Sequence, residues 1–148
     1  MQKLSWDESL ESGIVEIDIQ HRNLFNIFKI LDDAIEKGKS SMVIKYIIDE
    51  ICRYGNYHIE AEEEILKKYN LFSDKHSLEH VSFKDTVGKF REKYISTKDK
   101  VLAKEICEYL YTWVTNHIMK TDKEELNLLK AEFKRLGKGE ENYFDYGK

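Results

Sequence analysis

A chain of 148 residues has the length of one ordinary domain. Its formal charge of −4 comes from mixed acidic and basic residues, which argues against a nucleic-acid surface because such a surface needs a basic patch. No apolar run approaches the roughly 20 residues that span a bilayer. Met1 is not followed by a signal peptide, so a cytoplasmic protein is expected.

The pattern along the chain is helical after a short start. Residues 1–17 lack sustained periodicity and are expected to form an extended arm packed on the domain. Apolar residues then recur at three- and four-residue steps, and proline is absent, so little interrupts long helices. The predicted boundaries are Asp18 and Gly38 for the first helix, Ser40 or Ser41 and Ser73 for the starts of the next two, and Ser96 with Thr97 as the cap before the fourth.

Four amphipathic segments with short connections predict an all-α fold, an up-down-up-down four-helix bundle. We expect residues 1–148 to form a single domain, with the arm at 1–17, the bundle at 18–136 and a C-terminal tail at 137–148. The role of the tail and the oligomeric state stay open. Cys52 and Cys107 fall in separate helical patterns and are expected to be reduced, with a disulfide or redox pair as the alternative.

The stretch from residue 57 to residue 83 holds three of the five histidines. His58 and Glu62 are four residues apart, and so are His76 and His80. A four-residue step turns only about 40° around an α-helix, so each pair projects side by side. The short polar turn at 70–74 folds one helix back on the other and brings the pairs together. Imidazole and carboxylate groups in this arrangement are ligands for iron, zinc or manganese.

All five histidines fall on stripes that are predicted to face inward. An unsatisfied buried polar group costs about 1–3 kcal/mol, and a bound metal removes that cost. The sequence therefore predicts a buried metal site. The five candidate ligands are His21, His58, His76, His80 and His117.

The carboxylates of the second helix compete for the same role. Glu62 lies one turn beyond His58 on the inward face. Its neighbours Glu60, Glu63 and Glu64 are expected to be solvated, as most glutamates in such a run are. Glu62 is therefore the predicted ligand.

The fourth helix is less regular. Asp122 is five residues after His117, which is about 140° around an ideal helix and off the inward stripe. Either Asp122 reaches in from the flank or the helix is locally bulged. Spacing alone leaves Asp122 and Glu124 as close competitors.

These residues together resemble the hemerythrin family, and more closely its single-domain bacterial members, the bacteriohemerythrins. The resemblance extends from Trp6 through the fourth helix and includes every candidate ligand in order. Ile59 is the main local departure, because many relatives carry an aromatic residue there. The segments that carry the resemblance are Trp6, Asp18-Ile19-Gln20-His21, His58-Ile59-Glu60-Ala61-Glu62-Glu63, His76-Ser77-Leu78-Glu79-His80-Val81-Ser82-Phe83, and Trp113-Val114-Thr115-Asn116-His117-Ile118 through Asp122.

The resemblance implies a non-haem centre of two iron ions with an oxo or hydroxo bridge. Glu62 and Asp122 are then the bridging carboxylates, which favours Asp122 over Glu124. The remaining ligands divide unequally between the irons: His76, His80 and His117 on one, His21 and His58 on the other. Apolar neighbours expected to line the pocket are Ile59, Trp113, Val114 and Ile118.

Counting donors in the implied centre leaves one iron with six ligands and the other with five. The open position suits dioxygen or another small diatomic. Five neutral imidazoles and two carboxylates give high oxidation states little anionic stabilisation, so we expect reversible O2 binding, for transport, storage or delivery, and no enzyme activity. The alternatives are a sensor of O2, NO or redox state, a di-iron enzyme that consumes peroxide or NO, and a zinc-holding bundle. No nucleic-acid or membrane partner is expected, and a protein partner is unknown.

Overall fold

The computed structural model describes residues 6–137, and within them the chain is helical with no strand. A short 3-10 helix at Glu8–Leu10 precedes the bundle. The predicted all-α four-helix bundle is confirmed, while residues 1–5 of the predicted arm and 138–148 of the predicted tail lie outside the described residues. The bundle helices are α1 (Val15–Glu36), α2 (Ser41–Lys68), α3 (Asp74–Thr97) and a composite fourth rod of α4 (Lys100–Asn116), a π-helical turn (His117–Asp122) and α5 (Lys123–Arg135).

Several helix ends follow from local side-chain chemistry as predicted. The Ser40 hydroxyl accepts a hydrogen bond from the Val43 backbone N–H at 3.3 Å and caps α2. The Ser73 hydroxyl does the same for the His76 N–H at 3.1 Å and caps α3. Gly38 follows α1 with φ +64°, a left-handed conformation that glycine adopts without strain.

The predicted cap at Ser96 and Thr97 is wrong. Both residues belong to the last turn of α3, where their hydroxyls donate to the Lys93 carbonyl. Lys98 then turns the chain in a left-handed conformation, and the Asp99 carboxylate caps α4 by accepting from a backbone N–H. Hydroxyl side chains satisfy a carbonyl in the preceding turn as readily as an N–H in the next helix, so the sequence signal was ambiguous.

The first helix also begins three residues earlier than predicted, at Val15 instead of Asp18. Asp18 lies in the first turn, and its buried carboxylate accepts from the backbone N–H groups of Ser12 and Gly13 at 2.8 and 3.0 Å. It also accepts from the Ser12 hydroxyl at 2.9 Å. Asp18 therefore fixes the segment before the helix and does not cap the helix itself.

Two apolar clusters fill the bundle, one on each side of a polar layer. On α2 the larger cluster ends at Ile59 and the smaller one starts at Ile65. On the fourth rod the same boundary falls between Ile118 and Leu126. The candidate carboxylates Glu62 and Asp122 lie between those positions, and His58 and His117 lie one residue before Ile59 and Ile118, so the core itself frames the site.

The cysteines and the apolar character of the helices were also predicted from the sequence. Cys52 is half-buried and Cys107 is buried, and both are free thiols, as expected. Within residues 6–137, none of the helices has the length and apolar character required to cross a bilayer.

Candidate metal centre

All seven predicted ligands are buried in one layer of the bundle. Each has at most 5% of its surface exposed. Every rod of the bundle contributes at least one of them, and α3 supplies its two histidines from its first two turns. The seven are His21 on α1, His58 and Glu62 on α2, His76 and His80 on α3, and His117 and Asp122 on the π turn.

The π turn explains the awkward spacing on the fourth rod. In a π-helix the hydrogen bonds run between residues five apart, so residues five apart lie on the same face. His117 and Asp122 are the first and last residues of this turn, and Nε2 of the imidazole lies 2.9 Å from Oδ1 of the carboxylate. Asp122 is buried whereas Glu124 is exposed. The helix is therefore bulged, and Asp122 is the carboxylate that faces the layer.

Three histidines converge with one oxygen of each carboxylate. The Nε2 atoms of His76 and His80 lie 3.2 and 3.1 Å from Nε2 of His117. Oε1 of Glu62 and Oδ1 of Asp122 lie 2.9 and 2.8 Å from Nε2 of His76. Donor atoms at right angles on an ion with bonds of about 2.1 Å are roughly 3 Å apart, so these five atoms have the spacing of an octahedral site.

The other oxygen of each carboxylate faces the two remaining histidines. Oδ2 of Asp122 lies 3.3 Å from Nε2 of His21. Oε2 of Glu62 lies 3.6 Å from the same nitrogen and 3.5 Å from Nε2 of His58. Each carboxylate thus has one oxygen toward a set of three histidines and the other oxygen toward a set of two.

Hydrogen bonding within the described chain does not satisfy this layer. Both carboxylate oxygens of Glu62 and of Asp122, and both ring nitrogens of His21, are buried without an aligned hydrogen-bond partner. Buried polar atoms in proteins are nearly always paired, so such a cluster calls for a bound group. The geometry and the donor types fit two transition-metal ions.

Without metal, protons balance the charge of the layer. Burial lowers the pKa of the His21 imidazole, but the carboxylates of Asp122 and Glu62 outweigh burial and raise that pKa to about 9. The same competition raises the pKa of His76 to about 11. Burial and the charge on His21 lower the pKa of His58 to about 3. Burial favours the protonated form of both carboxyl groups, but the imidazoles hold their pKa values below the ordinary range.

A second set of side chains orients the imidazoles. Oε1 of Gln20 lies 2.7 Å from Nδ1 of His58, and Oε2 of Glu63 lies 2.8 Å from Nδ1 of His80. When Nδ1 donates its proton to such an oxygen, Nε2 keeps the lone pair that a metal requires. The expectation that Glu63 is solvated is therefore wrong, since only 22% of its side chain is exposed.

Two more acids lie near other imidazoles without an aligned hydrogen bond to them. Oε2 of Glu125 on α5 lies 3.1 Å from Nδ1 of His76. Oε1 of Glu79 lies 3.7 Å from Nδ1 of His117 and accepts a hydrogen bond from the Thr121 hydroxyl. Sequence reasoning missed the hydrogen bonds of Gln20 and Glu63 and the proximity of Glu79 and Glu125. The available signal was position, since each lies within three residues of a candidate ligand on a helix.

A cavity of about 20 Å³ adjoins the layer. This volume is enough for one molecule of the size of water. His21 and His58, the two histidines that face the second oxygen of each carboxylate, both line this cavity. All four predicted pocket residues also line it: Ile59, Trp113, Val114 and Ile118.

Comparison with known proteins places this layer within a recognised domain. The family described as Hemerythrin HHE cation binding domain matches residues 12–129, which include all seven candidate ligands. The chain is 31% identical over 126 residues to the bacteriohemerythrin of Clostridium acetobutylicum, covering 80% of this chain and 95% of that protein. It is 30% identical over 123 residues to the bacteriohemerythrin of Pseudomonas paraeruginosa, covering 82% and 78%. The hemerythrin-like protein of Naegleria gruberi is 29% identical over 118 residues, covering 80% and 87%.

The proton balance predicts how the metal-free protein responds to pH. The raised pKa of His21 contributes stability that is fully present below about pH 6.5 and is lost as pH rises through about 9. We expect the urea midpoint of the metal-free protein to fall across that interval. Bound metal replaces the proton, so the loaded protein should keep its midpoint. A metal-free midpoint that stays constant from neutral to alkaline pH contradicts this charge balance.

Replacing Gln20 tests the orienting contacts. Gln20→Met keeps the size of the side chain but removes the acceptor for the His58 Nδ1 proton, and we expect metal affinity about tenfold weaker in competition with a chelator. Asn23→Leu is the matched control, because Asn23 is exposed on the same helix and bonds only to the Tyr54 hydroxyl at 3.0 Å. Equal affinities for the two variants would remove the role assigned to Gln20.

Proposed function

The chain belongs to the hemerythrin family, and on that basis we propose that it reversibly binds dioxygen at a non-haem di-iron centre, as a protein of oxygen transport, storage or delivery. Hemerythrins bind O2 at a centre of two irons. The buried layer of imidazoles and carboxylates in this chain suits such a centre. When bound, the iron pair supplies an open coordination position and the electrons on which dioxygen binding depends.

The unequal division of the histidines is the observation that carries the proposal. His76, His80 and His117 would hold one iron, and His21 with His58 the other. The carboxylates of Glu62 and Asp122, each with one oxygen toward either set, would bridge the two ions. The ion held by His21 and His58 would then have one protein donor fewer than its partner. The cavity is lined by both histidines of that set, and also by His80 and His117 of the other.

The lining of the cavity favours reversible binding over turnover. Apart from candidate ligands, the described residues that line it are Leu24, Gly55, Ile59, Phe83, Trp113, Val114 and Ile118. None of these has a carboxyl, hydroxyl or amino group that could deliver a proton to a bound species. Apolar walls also exclude water from the site. A bound ligand that is neither protonated nor displaced by water can dissociate chemically unchanged, so that binding is reversible.

The first test is metal content and response to air. We expect about two irons per chain in protein purified without added metal, as the family and the paired donor sets require. The reduced protein should be nearly colourless, gain a visible absorption band in air and lose it under vacuum. Protein that contains zinc and no iron would favour the alternative of a zinc-holding bundle. Steady-state turnover with a reductant and peroxide or NO would favour an enzyme.

The apolar lining can be tested with a single hydroxyl. Val114→Thr places a polar group of the same shape beside the site, and we expect oxidation of the O2-bound form about tenfold faster, which corresponds to roughly 1.4 kcal/mol in the barrier. Val87→Thr is the control, because Val87 is as buried, at 2% against 1%, but does not line the cavity. Similar acceleration in both variants would attribute the effect to general loosening of the core.

A further inference from the structure

The ring of Phe83 lies between the cavity and one groove on the surface of the bundle. A groove of about 350 Å³ runs along α2 and α3 and is lined by residues that include Cys52, Asn56, Val87 and Arg91. Among residues 6–137, Phe83 alone lines both this α2/α3 groove and the cavity. Its side chain is 4% exposed, so in the observed conformation it closes the passage between them.

The two sides of the Phe83 ring are unequal. Trp113 packs on one side, with ring centroids 4.2 Å apart. Toward α2 the neighbour is Gly55, where a Cβ would lie 3.4 Å from Cε2 of Phe83. The ring therefore has a large side chain on one side and no side chain at Gly55. The absent side chain leaves the ring room for about one methyl group on the side of α2.

Gly55 is unusual because the observed packing does not require a glycine there. It lies in the middle of α2 with an ordinary helical backbone, where glycine is less stable than alanine. A methyl group would reach only van der Waals contact with Phe83 in its observed position. What the methyl group would obstruct is the ring moving toward α2.

A second groove offers a less favourable route. It runs along α3 and α4 and shares Trp113 and His117 with the cavity. Trp113 is held between Phe83 and the His117 ring, on which it stacks at 4.2 Å and 14°. His117 is itself a candidate ligand, so opening this wall would disturb the centre.

We propose that Phe83 and Gly55 form the ligand entrance, in which the Phe83 ring swings toward Gly55 to admit a small molecule from the α2/α3 groove to the cavity. The inference rests on the proposed function, since it concerns the ligand of the same site. The rate of access is then set by ring movement and not by the surface of the protein.

Two glycine variants test the ring movement. Gly55→Ala should raise the thermal midpoint by ~3 °C, because alanine favours the helix, and slow both the association and the dissociation of O2 about tenfold. Gly88→Ala is the matched control: it lies in α3 in the wall of the groove, where a Cβ meets no atom within 4 Å. It should be stabilised similarly with unchanged rates. A stabilised Gly55→Ala protein with unchanged rates overturns the proposal.

Replacement of the ring gives the opposite expectation. Phe83→Leu should accelerate the binding of O2 to the reduced protein and of azide to the oxidised protein about tenfold. Phe90→Leu serves as control, because Phe90 packs on Tyr109 in the core without lining the cavity. Acceleration by Trp113→Leu without acceleration by Phe83→Leu would place the entrance in the α3/α4 groove and refute the assignment.

The outcomes for the entrance and for the function are separable. In metal-free protein, the ring-flip rate of Phe83 measured by NMR should fall in Gly55→Ala and stay unchanged in Gly88→Ala. If azide binding and ring flipping follow these variants while O2 binding is irreversible, the entrance stands and the proposed function fails. If O2 binds reversibly with equal rates in all variants, the function stands and the entrance fails.

Discussion

Two carboxylates buried side by side dominate the energetics of this bundle. Glu62 and Asp122 are fully inaccessible to solvent, and two like charges in such a place repel each other unless cations surround them. The chain meets this constraint with five imidazoles around the carboxylates. When metal is absent, the raised pKa values of His21 and His76 let these two rings carry protons, and all five rings can offer lone pairs to a bound metal. In the metal-free protein, protons on the imidazoles therefore balance the buried negative charges. In the metal-bound protein, the same side chains would act as ligands.

The bundle is arranged so that this polar layer is held from both sides. An apolar cluster lies toward each end, and every rod crosses the layer once. Orienting contacts then fix individual rings, as Gln20 does for His58 and Glu63 for His80. The distances between the donor atoms depend on both features. The two apolar clusters hold each helix on either side of the layer, and the hydrogen bonds at Nδ1 hold individual imidazole rings.

Periodicity predicted the fold and most of the candidate site, because a four-residue step has one meaning on an α-helix. It failed where that geometry changes: the five-residue step from His117 to Asp122 admitted two explanations until the π turn was seen. It also failed for Glu63, since an acid that flanks a ligand looks like any solvated helix face. The boundary errors at Asp18 and Ser96 have a common cause, which is that short polar side chains can satisfy several backbone groups.

The fourth rod contains one residue more than its apolar pattern needs. Inward positions Leu110 and Val114 precede the π turn, His117 and Asp122 are its first and last residues, and Leu126 follows it. If the rod were one residue shorter, these positions would form a single uninterrupted stripe along an ordinary α-helix. The core gains nothing from the surplus residue. The extra residue changes the spacing between one imidazole and one carboxylate. The rod therefore departs from the α-helical pattern at the metal layer and follows it elsewhere, where its apolar residues pack in the core.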